Sequence, residues 1–202
     1  MYLYYQGNCD YYKNPDQLKY YSMIHNIITA ISSRVNTYIK NRLLINDDIV
    51  VVKNLVDLKG NVSDGVQNKI SVFLLSLEED RTSKNKSIGR LINNPVIVLN
   101  VNIMFAAYFS NNSYVESLRY ISLVVEFFQK HPMFHFSDTQ GLPLSNSKLH
   151  VEIYNLAMPD TMRLWGAIGT KYIPSCAYKI KQVKFDSEQI NVDIPPIMGD
   201  NN

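Results

Sequence analysis

The chain has 202 residues, enough for one domain or one domain with arms, and 46% of them are hydrophobic, ample for a core. Only 19% are charged, against about 25% in an ordinary soluble domain, so part of the surface is expected to be covered by partners. A net charge of +2 gives no argument for nucleic acid, the two cysteines, Cys9 and Cys176, form neither a disulfide framework nor a metal spacing, and no apolar run reaches the length of about 18 residues that a membrane helix needs. A reducing compartment is the default for such cysteine usage.

Residues 1–22 hold seven tyrosines and few aliphatics. They read as an N-terminal extension without the basic and apolar regions of a signal peptide. Met23 opens the domain proper. Ile24, Ile27, Ile28, Ile31, Val35, Tyr38 and Ile39 recur at steps of three and four, one apolar stripe of an amphipathic helix with Ser22 as its N-cap. Asn26, Ser33, Asn36, Lys40 and Asn41 fall outside the stripe. The β-branched run at Ile49–Val52 predicts a short strand within Asp48–Asn54, and Gly60, Asp64 and Gly65 predict a loop over residues 55–67. Lys69–Glu78 is apolar on both faces, with Ile70, Val72 and Leu74 on one and Phe73, Leu75 and Leu77 on the other. That pattern predicts a central strand covered twice. Residues 79–94 are a long polar loop. Pro95 leads into a second long strand, Val96–Tyr108, with Ile97, Leu99, Val101, Ile103 and Phe105 on one face and Asn100 and Asn102 on the other.

Ser113–Glu116 is a capping box, and a helix follows to Lys130 with Leu118, Ile121, Val125 and Phe128 as its inner stripe, widened by Ser117 and Val124. His131–Pro132 ends it. Phe134 and Phe136 predict a short edge strand, residues 137–147 a loop, and Leu149, Val151 and Ile153 another strand. Pro159–Asp160 opens a short helix, Met162–Ile168, with Gly169 at its C-cap. A strand at Ala177–Phe185 closes the core, and residues 186–202 form an arm or tail. Two long amphipathic helices, one short helix and about five strands predict an α+β fold, with helices packed on a mixed, mostly antiparallel sheet.

No catalytic constellation stands out. The four histidines lack helical ligand spacing; His131 and His135 are four apart, but Pro132 breaks the helix between them. Glu78, Glu79 and Asp80 read as a solvated strand end rather than a carboxylate pair with Glu152. Cys176, in an apolar strand entry, reads as an inert buried thiol. There is no P-loop, no Gly-x-Gly-x-x-Gly and no Gly-x-Ser-x-Gly elbow. Neither a metal nor a cofactor is expected, and nothing visible argues for an enzyme. Trp165, the sole tryptophan, is either a core aromatic sealing the end of the fold or an anchor for a subunit contact. Tyr172 has the same two readings. Arg81, Lys84 and Lys86, with Arg90, form a loose basic group in the polar loop. The loops over residues 55–67 and 79–94 are the expected places for partner contact.

Several segments together resemble a known family. They are Met23–Asn26 with its helix, the Ile70–Glu78 strand and its polar loop, and Pro95–Val101. The helix end Phe127–Pro132 and the segment from Trp165–Gly166 to Pro174–Ser175 complete the set. In this order they are similar to the tail-terminator cap proteins of extracellular contractile injection systems. Those are the sixteenth proteins of the antifeeding-prophage and Photorhabdus virulence cassette particles, with relatives in Bacteroidetes injection machines. The resemblance covers about residues 23–185, and the extension at 1–22 and the short tail depart from it. It implies a structural protein, a homohexameric ring made in the cytoplasm and built into a phage tail-like particle. Such a ring closes the distal end of the inner tube and anchors the last sheath layer, so the implied partners are itself, the tube protein and the sheath protein. Another assembly role in the same machine, a baseplate part or a tube chaperone, is the alternative; a small enzyme is the third. Ile190, Val192 and Ile194 alternate within Ser187–Ile194, an expected edge strand for contact with the sheath, unless the segment is a plain tail.

Overall fold

A computed structural model describes residues 23–80, 97–109, 114–135 and 148–185. Its elements, in chain order, are α1 (Met23–Leu43), β1 (Val50–Val52), β2 (Lys69–Glu79), β3 (Ile97–Tyr108), α2 (Tyr114–Lys130), β4 (Met133–His135), β5 (Lys148–Ile153), α3 (Met158–Ile168) and β6 (Ser175–Phe185). The strands form one six-stranded sheet in the order β1-β2-β3-β6-β5-β4. Only the β1–β2 pair is parallel; every other neighbour is antiparallel. The expected α+β architecture is therefore the one observed, with the strand at Phe134 present and Phe136 outside the described residues.

Both long helices lie on one face of the sheet. Ile27, Ile31, Val35 and Ile39 of α1 are buried against Ile70 and Val72 of β2, and Val124, Phe127 and Phe128 of α2 join Val101, Ile103 and Phe105 of β3. An aromatic stack fills the centre: the Phe128 and Tyr178 rings lie 4.0 Å apart between centroids, with Phe105 edge-on to Phe128 at 5.4 Å. The opposite face packs a smaller core, in which α3 lays Trp165 over Phe73, Met104, Ala106 and Ala177, joined by Leu55 from the loop after β1.

Two expectations about faces are corrected. In α2 the buried residues are Ser117, Leu123, Val124, Phe127 and Phe128, whereas Leu118 and Val125 are exposed. The stripe is rotated because the bulky Phe127–Phe128 pair, not the aliphatics, sets which side meets the sheet. In β2 a bulge between Leu74 and Ser76 inserts one extra residue. A single extra residue moves all later side chains to the opposite face, so Leu77 shares a face with Ile70 and Val72 instead of opposing them. Leu74 and Leu77 are also exposed, so β2 is covered on both sides only in its first half.

The helix ends follow ordinary stop chemistry. Gly169 takes the left-handed conformation after α3, with φ 79°, and its N–H bonds back to Trp165 and Gly166. Pro159 stands in the first turn, so α3 begins at Met158 rather than Met162. After α1 the same left-handed position is held by Leu44, with φ 56°, and the Ile45 N–H reaches back to the Lys40 carbonyl.

Candidate assembly surfaces

The sheet face that α1 and α2 leave free carries an organised polar cluster beside α3. Glu78 lies one residue before the end of β2, Asn102 sits mid-β3, Lys179 lies in β6 and Tyr154 follows β5. Asn102 pairs with Lys179 across β3 and β6, so strand alternation aims both at this face. Glu78 Oε2 accepts from Lys179 Nζ at 2.8 Å. Its Oε1 accepts from Asn102 Nδ2 at 2.6 Å and from the Tyr154 hydroxyl at 3.2 Å. Asn102 Nδ2 also donates to Ser76 Oγ at 2.9 Å, and Lys179 Nζ lies 4.8 Å from the centre of the Tyr154 ring. A second ion pair, Lys181 to Glu152 at 2.7 Å, extends the cluster toward β5.

The electrostatics make this cluster a clamp. The Lys179 hydrogen bond is the main reason the Glu78 carboxyl is held below its ordinary range, against the opposing effect of burial. The same bond raises Lys179. Burial, followed by the Glu78 charge, raises the Tyr154 hydroxyl. A carboxylate locked in its charged form by three donors, and a lysine locked in its own, are poorly placed to exchange a proton near neutral pH. What the arrangement does well is tie four strands together on a face that lacks a full helical layer.

Beneath α3 lies a cavity of about 220 Å³, lined by Met104, Tyr154, Thr161, Tyr172, Cys176 and Ala177 among others. Burial pushes the Cys176 thiol up to about 12, which matches the inert thiol expected from its apolar setting. Across the molecule an open groove of about 380 Å³ runs between α2 and β5, lined by Val125, Phe128, Pro132, Val151, Ile153 and Tyr178 with their neighbours. Among the described residues there is no group of three metal-ligating side chains and no helix long and apolar enough to cross a membrane.

Of the residues singled out from the sequence, Trp165 and Tyr172 are brought together, ring centroids 5.7 Å apart and edge to face. Trp165 is 2% exposed and Tyr172 is 54% exposed, so the tryptophan seals the lower core while the tyrosine covers it from outside. Arg81, Lys84, Lys86, Ile190, Val192 and Ile194 lie outside the described residues. Sequence reasoning missed the Glu78 cluster. Its signal was the pair of polar residues, Asn100 and Asn102, on alternate positions of an otherwise apolar strand, facing the same side as Lys179. Asn100 is engaged as well. Its Oδ1 accepts from the N–H of Gln182 at 3.2 Å, where β6 bulges and Gln182 turns to φ 59°.

Two solved structures similar to this chain are parts of contractile injection machines. The PVC sheath/tube terminator of an extracellular contractile injection system, in its extended state, matches with a TM-score of 0.53 at 13% identity. The match covers 81% of this chain and 57% of that one. The tube-terminating cap of the anti-feeding prophage is 12% identical, with a TM-score of 0.45, over 75% of this chain and 54% of that one. At such identity the first likeness establishes the fold, and the chain spans little more than half the length of either structure. No curated protein sequence matches. The family model described as the Pvc16 N-terminal domain matches residues 26–198, running past β6 into the segment read from sequence as an arm. With most of its length matched, the chain belongs to the Pvc16 N-terminal domain family.

Proposed function

We propose that this chain is a structural terminator of a contractile injection system, without enzymatic activity. It forms a homohexameric ring, closes the distal end of the inner tube and anchors the last sheath layer. It is made in the cytoplasm and ends up in the assembled particle. The observation that carries this reading is the family match over residues 26–198, joined to a fold shared with a sheath/tube terminator. The physical logic agrees. A ring that stops a helical polymer must match the polymer's end on one side and offer nothing to another layer on the other. The body spans residues 23–185, and residues 187–194 join the sheath as an added strand through the alternation of Ile190, Val192 and Ile194.

The test is co-sedimentation of the full chain with assembled tubes and with sheath, beside a variant lacking residues 187–202. The full chain is expected to sediment with both. The shortened chain is expected to keep its oligomeric mass and its tube binding while losing sheath. Equal sheath binding by the two would remove the role given to the arm, and failure of the full chain to bind tubes would overturn the terminator reading.

A further inference from the structure

The sheet face that carries α1 and α2 is left partly bare toward the end of β2. Val50, Val72, Val101 and Ile103 are buried on this face. Strand alternation puts Val52, Leu74, Leu99 and Ile97 on it as well, and the bulge after Leu74 returns Leu77 to it. Four of these side chains are well exposed: Val52 at 39%, Leu74 at 42%, Leu77 at 44% and Ile97 at 50%. The register makes them neighbours. Val52 pairs with Val72, which precedes Leu74 on the same face. Leu77 pairs with Val101, next on its face to Leu99, which is followed toward the strand start by Ile97. The result is one apolar strip running obliquely from β3 over β2 to β1. A continuous exposed apolar surface of this kind marks a contact.

β6 ends at the foot of the strip. Phe185 pairs with Ile97 and Val183 with Leu99, and Phe185 packs on the same core. Residues 186 onward, outside the described residues, therefore leave the sheet beside Ile97. Strand rise and strand spacing convert the register into distances from Phe185: about 16 Å to Leu77, about 22 Å to Leu74 and about 30 Å to Val52. An extended chain leaving Phe185 spans about 17 Å at Ile190, about 23 Å at Val192 and about 30 Å at Ile194. The three branched side chains thus fall at the spacing of the three exposed ones. They alternate with Asn191 and Asp193, so one side of the segment is apolar and the other polar, and Pro195 and Pro196 follow where the strip ends. The family match through residue 198 keeps this segment with the domain.

We infer that residues 186–194 turn back over the sheet and lie along this strip of their own chain, with Ile190 over Leu77, Val192 over Leu74 and Ile194 over Val52. Docking covers two apolar surfaces at once and keeps an unpaired extended segment from other chains. The same side chains are those assigned to the sheath, so the docked arm is withheld from that partner. This consequence rests on the terminator reading; the docking itself does not.

The experiment is alkylation of a cysteine placed in the strip, Leu77→Cys, by iodoacetamide, with the modified site identified by mass. Cys9→Ser is present in every chain. The Leu77→Cys thiol is expected to react at least about tenfold more slowly in the full chain than in one lacking residues 187–202. Replacing Ile190, Val192 and Ile194 together by Asp is expected to restore the fast rate. Met133→Cys, at an exposed position of β4, is expected to react alike with and without the arm. Thermal melts check folding, and Leu74→Cys replaces Leu77→Cys if that variant melts early. Equally fast reaction in both lengths would mean that nothing covers the strip, and equally slow reaction that another segment or another copy does; either overturns the inference. So does any slowing of the shortened Leu77→Cys chain when it is co-expressed with a full chain, since the arm then crosses between copies. Tube co-sedimentation reads the terminator role separately. Arm-dependent protection in a chain that ignores tubes leaves the docking standing and sinks the terminator reading; tube binding by a chain whose thiol is indifferent to the arm does the reverse.

Discussion

Glu78 and Lys179 meet at 2.8 Å on the less covered face of the sheet, although 101 residues separate them in the chain. The contact ties the end of β2 to β6 across β3, with Asn102 and Tyr154 supplying the other donors to the same carboxylate. A lone ion pair at this exposure adds little stability. A carboxylate shared by three donors from three further segments adds more, because no single rearrangement satisfies all of them.

The pair gives stability a defined pH window. Glu78 is held below its ordinary value, so its contribution is present above the unfolded carboxyl value of about 4.3 and is lost as pH falls through the lower folded value. Lys179 is raised, so its contribution is complete below about 10.4 and is lost as pH rises through the higher folded value. Replacing Lys179→Met should cost about 1 kcal/mol at pH 7, a modest figure because water screens the pair. The loss should shrink at both pH extremes. Chemical denaturation across pH checks this; a penalty of constant size from acid to alkali would show that the methionine acts through packing instead.

Asn36 brackets α1 to the start of β1. Its Oδ1 accepts from the N–H groups of Ile49 and Val50 at 2.9 and 3.0 Å, and its Nδ2 donates to Asp48 at 2.7 Å. Asn36→Ala leaves two part-buried N–H groups without that acceptor and should cost about 1–3 kcal/mol. Asn36→Asp keeps the acceptor but faces the Asp48 carboxylate, so it should lie between alanine and the native residue and improve as pH drops. Urea midpoints of the three proteins at two pH values decide the order, and an alanine variant as stable as the native chain would refute the bracket.

The helices and strands were legible in the sequence because their signals are local. The Ile27–Ile39 stripe repeats at helical steps, and Gly169 marks a helix end wherever it stands. What was not legible depends on a count kept over distance. The inserted residue near Leu75 in β2 leaves no mark in composition, yet it reverses the faces of everything after it, so Leu77 was assigned to the wrong side. Asn36 read as a solvent-facing residue because its partners come twelve or more positions later. Glu78 read as a solvated strand end for the same reason, since Lys179 is remote and nothing near Glu78 announces it.

The two left-handed helix stops make opposite predictions. Gly169 has open space around the position of an added Cβ, so Gly169→Ala should cost only the backbone term, about 1 kcal/mol. Leu44 occupies the equivalent place after α1 at φ 56° and is exposed. Leu44→Gly should therefore stabilise by up to about 1 kcal/mol, since relief of strain outweighs the added freedom of the unfolded chain. Thermal melts of the two variants should move in opposite directions; a fall in both would mean that the Leu44 side chain packs on something beyond α1.

Trp165 decides between its two sequence readings through stability and assembly measured together. It is 2% exposed in the lower core, and its Nε1 has no hydrogen-bond partner among the described residues. Trp165→Ala should therefore cost about 3–5 kcal/mol by opening a cavity beneath α3. Trp165→Phe should cost much less, since it gives up volume but no hydrogen bond made among the described residues. Tyr172→Ala, which removes the ring lying edge-on to Trp165, should cost about 0.5–1.5 kcal/mol. As the sole tryptophan, Trp165 also reports on its own surroundings, and its emission should shift to the red when Tyr172 is removed. If it acts only as a core residue, Trp165→Phe keeps the oligomeric mass of the native chain. A well-folded Trp165→Phe variant that no longer associates would instead make this side chain part of a subunit contact, with α3 carrying it there.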